Sequence, residues 1–485
     1  MLFSSSIFVF GFLPICLLFY YIIPKSRRKI RNLFLFIVSL GFYAWGEPVF
    51  VWIMIMSILA NYIFGLLVDK YNDNKIISKR IILVMLILNL GVLCIFKYSG
   101  FVVENLNSIF NLNIVNPNIS LPIGISFFTF QAISYVIDVY RRRDIDGDII
   151  RAQRNPINVG LYIALFPQLI AGPIVRYKTV AQQINHRDEN FDDFSEGVKR
   201  FILGLSKKVL ISNNLALIAD KAFSIAPNEI SISFIWLGAI SYCMQIFFDF
   251  AGYSDMAIGL GKMFGFHFLE NFNYPFISKS VSEFWQRWHI SLGSWFRDYV
   301  YFPLGGSKKG TSRTIINLAI VWFLTGFWHG ANWNCIAWGM YFFIFIFIEK
   351  FLIKKNNKLK RVSFLGHIYT LVVFITGLVI FRCTSIPSAL DYLKSMAGLN
   401  GNVWINDITI LYLKEFFIFI VVGVLFSMPV ADVVKRKFID RSDNFSFISK
   451  CFFVSIYVVM YMGIFIIAMS YIVKGAYNPF IYFNF

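Results

Sequence analysis

Apolar runs of about 20 residues, each long enough to cross the ~30 Å hydrocarbon core of a bilayer, recur from one end of this chain to the other. Inside hydrocarbon every backbone N–H and C=O needs an internal partner, so only helices or a closed barrel can span. Barrel strands alternate apolar and polar residues over segments of about ten, and these runs are continuous instead. The composition agrees: 58% of the 485 residues are hydrophobic and 15% are charged, where a soluble domain is about a quarter charged. The expected class is an all-α polytopic membrane protein. It should hold about 11 transmembrane helices plus re-entrant or interfacial ones. No composition shift or linker divides the chain, so residues 1–485 are expected to form one integral-membrane domain.

The net charge of +18 does not point to nucleic acid, because the basic residues cluster between apolar runs as cytoplasmic loops do. Lys25, Arg27, Arg28, Lys29 and Arg31 follow the first run, 1–23, which is read as a retained span and not a cleaved leader. Runs at 32–45 and 48–68 return the chain to Lys70, Lys75, Lys79 and Arg80. A span at 81–98 leads to a loop, 101–120, without Lys or Arg, and a span at 121–140 ends at Arg141-Arg142-Arg143. Basic clusters at 354–361 and 435–441 flank spans near 364–382 and 411–430, and the loop 383–410 between those spans reads as external. A last span near 451–473 then leaves both termini outside. The most irregular stretches are 156–180 and 231–310, and broken helices at membrane depth imply a lined cavity.

Six single cysteines (Cys16, Cys94, Cys243, Cys335, Cys383, Cys451) and five isolated histidines have no metal-ligand or disulfide spacing, so no metal site is expected. Two of the histidines carry chemistry instead. No Asp, Glu, Lys or Arg lies between Arg313 and Glu349, and His329 sits inside that stretch. An ionisable group there is a functional-site hypothesis; the bland alternative is a hydrogen-bonded bundle histidine. The stretch is too long for one span, and its natural break is at 330–334, beside the histidine. His289 lies in 282–301, where Trp285, Trp288, Leu292, Trp295 and Tyr299 recur at helical spacing, opposite Arg287, Ser291, Ser294 and Asp298. By itself that pattern describes an anchoring interfacial helix. Asp249 and Asp255, in the run 247–261, read as structural or cavity-lining acids and not as catalysts. Histidines titrating near neutrality suit acyl transfer: one takes a proton from a nucleophile and returns it to a leaving group, in a site dry enough to exclude water.

At these residues the chain resembles the membrane-bound O-acyltransferase superfamily. The resemblance rests on W-Q-R-W-H-I-S-L followed about forty residues later by F-W-H-G. F-P-Q-L-I-A-G-P-I-V-R-Y (166–177), F-F-D-F-A-G-Y-S-D-M-A-I-G (247–259), F-R-D-Y-V-Y-F-P-L-G-G (296–306) and N-P-F-I-Y-F-N-F (478–485) narrow it to the bacterial branch containing the alginate O-acetyltransferase membrane component. The resemblance implies catalytic residues at His329 and His289, with Trp288, Trp328, Arg297, Asp298, Asp249, Asp255 and Asn332 as tunnel or supporting residues. It implies an acetyl donor in the cytosol, acetyl-CoA, used as a substrate with no bound cofactor. The implied partners are an extracytoplasmic SGNH-type acetyltransferase or acceptor protein, and a polysaccharide as final acceptor. The implied location is the bacterial cytoplasmic (inner) membrane. Two rivals stand beside this reading: D-alanyl transfer to teichoic acid, and a transporter or flippase, which would show repeated halves that this chain lacks.

Overall fold

The structure is a computed structural model that describes residues 1–485 except 143–148, 171, 354–362, 432, 435–446, 476, 480 and 482–485. The described residues form helices and no strand. They fall into two compact units. One contains Met1–Phe201 and Ser254–Leu269; the other contains Ile202–Tyr253 and Glu270–Ile481.

Among the described residues, eight helices are long and apolar enough to cross a membrane. They are Val51–Lys70, Lys75–Phe110, Phe191–Ser224, Ile232–Met263, Trp333–Phe351, Phe364–Arg382, Asp407–Phe426 and Cys451–Val473. The all-α polytopic class is therefore the observed one. The expected count was higher because it included shorter or more polar helices, such as Ile125–Arg141 with 17 residues. The first run is also short of a full span: Ile7–Ile22 measures about 24 Å at 1.5 Å per residue. Cys451–Val473 is almost wholly exposed, as an apolar helix bathed in lipid is.

Three expectations are corrected. Lys75–Phe110 is one helix of 36 residues, so it overruns the expected span 81–98 and takes half of the expected loop 101–120. It continues to Asn111, whose left-handed φ of 52° ends it. The region 231–310 is not irregular throughout, because Ile232–Met263 is a continuous helix of 32 residues. Phe191–Ser224 was not anticipated as a span: Lys199, Arg200, Lys207, Lys208, Asp220 and Lys221 interrupt its apolar pattern. It is mostly buried in protein, where charged residues can find partners that lipid would not give them. The basic clusters 354–361 and 435–441, and Arg143, lie outside the described residues.

In the first unit, helices Val51–Lys70 and Lys75–Phe110 are stitched by reciprocal amide bonds between Asn61 and Asn89 at 2.9 and 3.0 Å. A polar knot is built on Glu189. Arg28 donates to its carboxylate, Arg31 and Arg187 lie 3.1 and 3.6 Å from it, and the Tyr20 hydroxyl donates to it at 2.5 Å. Arg187 also donates to Asn32 and to the carbonyl of Phe264. In the second unit, Lys208 and Asp249 form a fully buried ion pair at 2.7 Å. Lys208 also donates to Asn213 and to the carbonyl of Pro479, and Asp249 accepts the N–H of Ile481.

Candidate active site

His329 is the last residue of the helix Thr311–His329, and Trp333–Phe347 starts four residues later. The break falls at 330–332, where the sequence places it. Asn332 starts the second helix by accepting the N–H of Cys335 on its side chain at 2.8 Å. That cap satisfies one of the donors a helix start leaves open. Asn334 ties the same turn to the carbonyls of Cys383 and Ile380 at 2.7 and 3.2 Å. The two arms touch along their backbones. A Cβ on Gly326 would overlap the carbonyl of Cys335, and one on Gly339 the carbonyl of Trp322. His329 is buried, edge-on to Trp328 and Trp338 at 5.0 Å each and to Phe381 at 5.8 Å.

His289 sits between two short helices, Val281–Arg287 and Ile290–Phe296. The single helix suggested by the spacing of Trp285, Trp288, Trp295 and Tyr299 is thus broken. Trp288 is extended, and His289 has a left-handed φ of 47°. A non-glycine residue in that region costs about 1–3 kcal/mol and persists where the surroundings fix it. They do so here. The carboxylate of Glu349 accepts the N–H groups of Val281 and Ser282 at 2.6 and 2.8 Å, and Ser280 accepts that of Glu283. Backbone bonds Asn273 N to Arg287 O and Ile290 N to Asn271 O, both 2.9 Å, clamp the break against the preceding loop.

The break places the His289 ring over Phe250, with centroids 4.5 Å apart, and near Trp328 at 6.2 Å. Trp328 also touches His329, so both histidines lie around one indole. His289 Nδ1 lies 3.3 Å from Asn271 Oδ1. Its Nε2 is buried with no hydrogen-bond partner among the described residues, as are the indole N–H groups of Trp285 and Trp338. Burial, and next the neighbouring His329, hold the His289 imidazole well below its ordinary pKa, which keeps it neutral. The sequence-based expectation of two histidines titrating near neutrality is thus not met at His289: burial among aromatic rings keeps its imidazole neutral, able to accept a hydrogen bond but a weaker base than a free histidine.

The other candidates scatter. Trp288 packs away from the histidine rings into an aromatic wall of Phe272, Phe374, Phe284 and Phe247 at 5.0–5.9 Å. Arg297 and Asp298 pair with each other at 3.1 Å, and Arg297 is mostly exposed. Asp249 is held by Lys208. Asp255 belongs to the other unit, where Arg200 reaches it through two nitrogens at 2.8 and 3.0 Å. Asn332 is the helix cap described above. Sequence reasoning missed Asn271, Glu349 and Lys208. Glu349 carried a signal as the first charge after the long uncharged stretch; Asn271 carried none.

A family model described as MBOAT, membrane-bound O-acyltransferase family, matches residues 146–390. The chain is 39% identical over 458 residues to a probable alginate O-acetylase of Azotobacter vinelandii, covering 91% of this chain and 89% of that protein. It is 34% identical over 429 residues to a peptidoglycan O-acetyltransferase of Helicobacter pylori, covering 83% and 80%. It is 32% identical over 251 residues to a teichoic acid D-alanyltransferase of Bacillus subtilis, covering 49% and 61%.

Proposed function

The chain belongs to the membrane-bound O-acyltransferase family, in its alginate O-acetylase-like branch, and from that premise we propose how this multi-pass O-acyltransferase works. It takes an acetyl group from acetyl-CoA at the cytosolic side and passes it to an extracytoplasmic acceptor, for O-acetylation of a cell-surface or secreted polysaccharide. His329 is the acid/base and His289 its companion. The acceptor hydroxyl loses its proton to imidazole as its oxygen attacks the thioester carbonyl. The tetrahedral adduct collapses, the C–S bond breaks, and the proton leaves on the thiol. Trp328 packs both rings, and the buried aromatic walls exclude the water that would hydrolyse the thioester. The enzyme sits in the cytoplasmic (inner) membrane with both termini outside. It works with an SGNH-type acetyltransferase or acceptor protein on the outer side.

The observation that carries this reading is the convergence of two buried histidines, 40 positions apart in sequence, on one indole. D-alanyl transfer is the weaker alternative, because that relative aligns with about half of the chain while the acetylase aligns with nearly all of it. Purified protein in proteoliposomes, given radiolabelled acetyl-CoA or a D-alanyl-charged carrier protein in separate reactions, tests both. Acetyl label reaching a hydroxyl acceptor supports the proposal. Transfer from the carrier alone overturns it.

A further inference from the structure

The hydrogen bonds around Asn271 fix the state in which His289 meets the reaction. The backbone N–H of Ser291 can only donate, and it points at Asn271 Oδ1 from 3.1 Å. A flipped amide would set an NH₂ against that N–H, so the atom facing Ser291 is the oxygen. The Ser291 hydroxyl lies 2.9 Å from the same oxygen, so its hydrogen must point there. That hydrogen is then unavailable to His289 Nδ1, which lies 3.4 Å from Ser291 Oγ and 3.3 Å from Asn271 Oδ1. Both atoms facing Nδ1 present lone pairs. A bare Nδ1 would be repelled by both, and a protonated Nδ1 is held by both. In the neutral ring the lone pair is therefore on Nε2, the buried nitrogen that no described residue contacts by hydrogen bond.

We infer that Asn271 is a positioning residue that holds His289 as its Nδ1–H tautomer, so that His289 meets the reaction through Nε2 as a hydrogen-bond acceptor beside the acid/base His329 and not as a hydrogen-bond donor to the oxyanion. Asn271 does this from the loop before Val281–Arg287, and its own carbonyl accepts the N–H of Ile290, directly after the histidine. One side chain and one carbonyl thus set both the ring's tautomer and the left-handed turn that aims it. The inference rests on His289 belonging to the proposed acyl-transfer site, but the tautomer can be read without any activity measurement.

The experiment is solid-state NMR of the full-length protein in lipid bilayers, with ¹⁵N-labelled histidine. The chain has only five histidines, and the His289 signals are those lost in H289N. The expected result is a protonated Nδ1 and a bare Nε2 in the wild type. In N271L the signals should shift toward a mixture of tautomers, and kcat should fall by about tenfold or more while KM changes little. N271D keeps an acceptor oxygen, so it should restore Nδ1 protonation and recover activity relative to N271L. A wild-type His289 protonated on Nε2, or a tautomer unchanged in N271L, overturns the inference. Full acetyl transfer by H289N, with the tautomer as expected, would instead remove His289 from the proposed reaction and leave the tautomer assignment standing.

Discussion

Glu189 and His289 are both buried polar residues in a largely apolar chain, yet the chain treats them in opposite ways. Around Glu189, three arginines and a tyrosine converge on one carboxylate, and Arg187 is tied to Asn32 and to the carbonyl of Phe264 as well. Burial alone would raise the Glu189 carboxyl. Hydrogen bonds from Arg28 and Tyr20, with the charges of Arg28 and Arg187, outweigh it and bring the group down to about 2. Around His289 the contacts are aromatic rings and the Asn271 amide, and its Nε2 and the indole N–H groups of Trp285 and Trp338 have no hydrogen-bond partner among the described residues. A buried polar group fully matched by its neighbours holds a fold together. One left open in a rigid, dry surrounding is available to a substrate.

Four substitutions and a titration break or sharpen that contrast. The largest effect is expected at the open cluster: H329Q should lower polysaccharide acetylation in cells by about 10²- to 10⁴-fold, the usual share of general acid–base catalysis, with unchanged protein in the membrane. At the matched cluster, E189Q leaves three guanidinium groups without their carboxylate. It should cost about 3–5 kcal/mol, read as a lower thermal midpoint in detergent, while activity per folded molecule persists. D249N should cost a similar or smaller amount, because it strands the buried Lys208 in the same way; a midpoint unchanged from wild type would show that the pair carries no stability. G326A forces apart the helix arms on either side of His329 and should cost about 1–3 kcal/mol, with a parallel loss of rate.

An acid titration reads the Glu189 contribution in a second way. The folded Glu189 carboxyl lies below its unfolded value, so its contribution is complete above the unfolded value, near 4.5, and is lost as the pH falls toward about 2. E189Q should flatten that part of the stability curve. His289 is also held low, but it is a base. The unfolded chain takes up its proton near pH 6.5 while the folded one does not, so stability drops as pH falls through that value, and H289N should remove this drop.

The sequence made the helix break beside His329 legible because the signal was local: a stretch too long for one span, with a run of Gly, Ala and Asn after the histidine. The conformation of His289 was not legible. Tryptophans at helical spacing argue for a continuous helix, and a single left-handed residue breaks it without altering that spacing. What fixes the residue is non-local. Glu349 lies 60 positions beyond it and Asn271 lies 18 before it. The same holds for Asp249: its apolar surroundings are plain in the sequence, but its partner Lys208 is 41 positions away, on a helix whose charges hid it from a hydropathy reading. The polytopic helical class survived these errors because it depends on the apolar runs, whereas the site depends on which loop lies against which helix.

The most direct test of the central claim is the initial rate of acetyl transfer from radiolabelled acetyl-CoA to a hydroxyl acceptor. It should be measured in proteoliposomes for the wild type, H329Q and E189Q at matched amounts of folded protein. The account predicts a wild-type rate that E189Q keeps and H329Q loses by at least a hundredfold. An H329Q protein as fast as the wild type would contradict it.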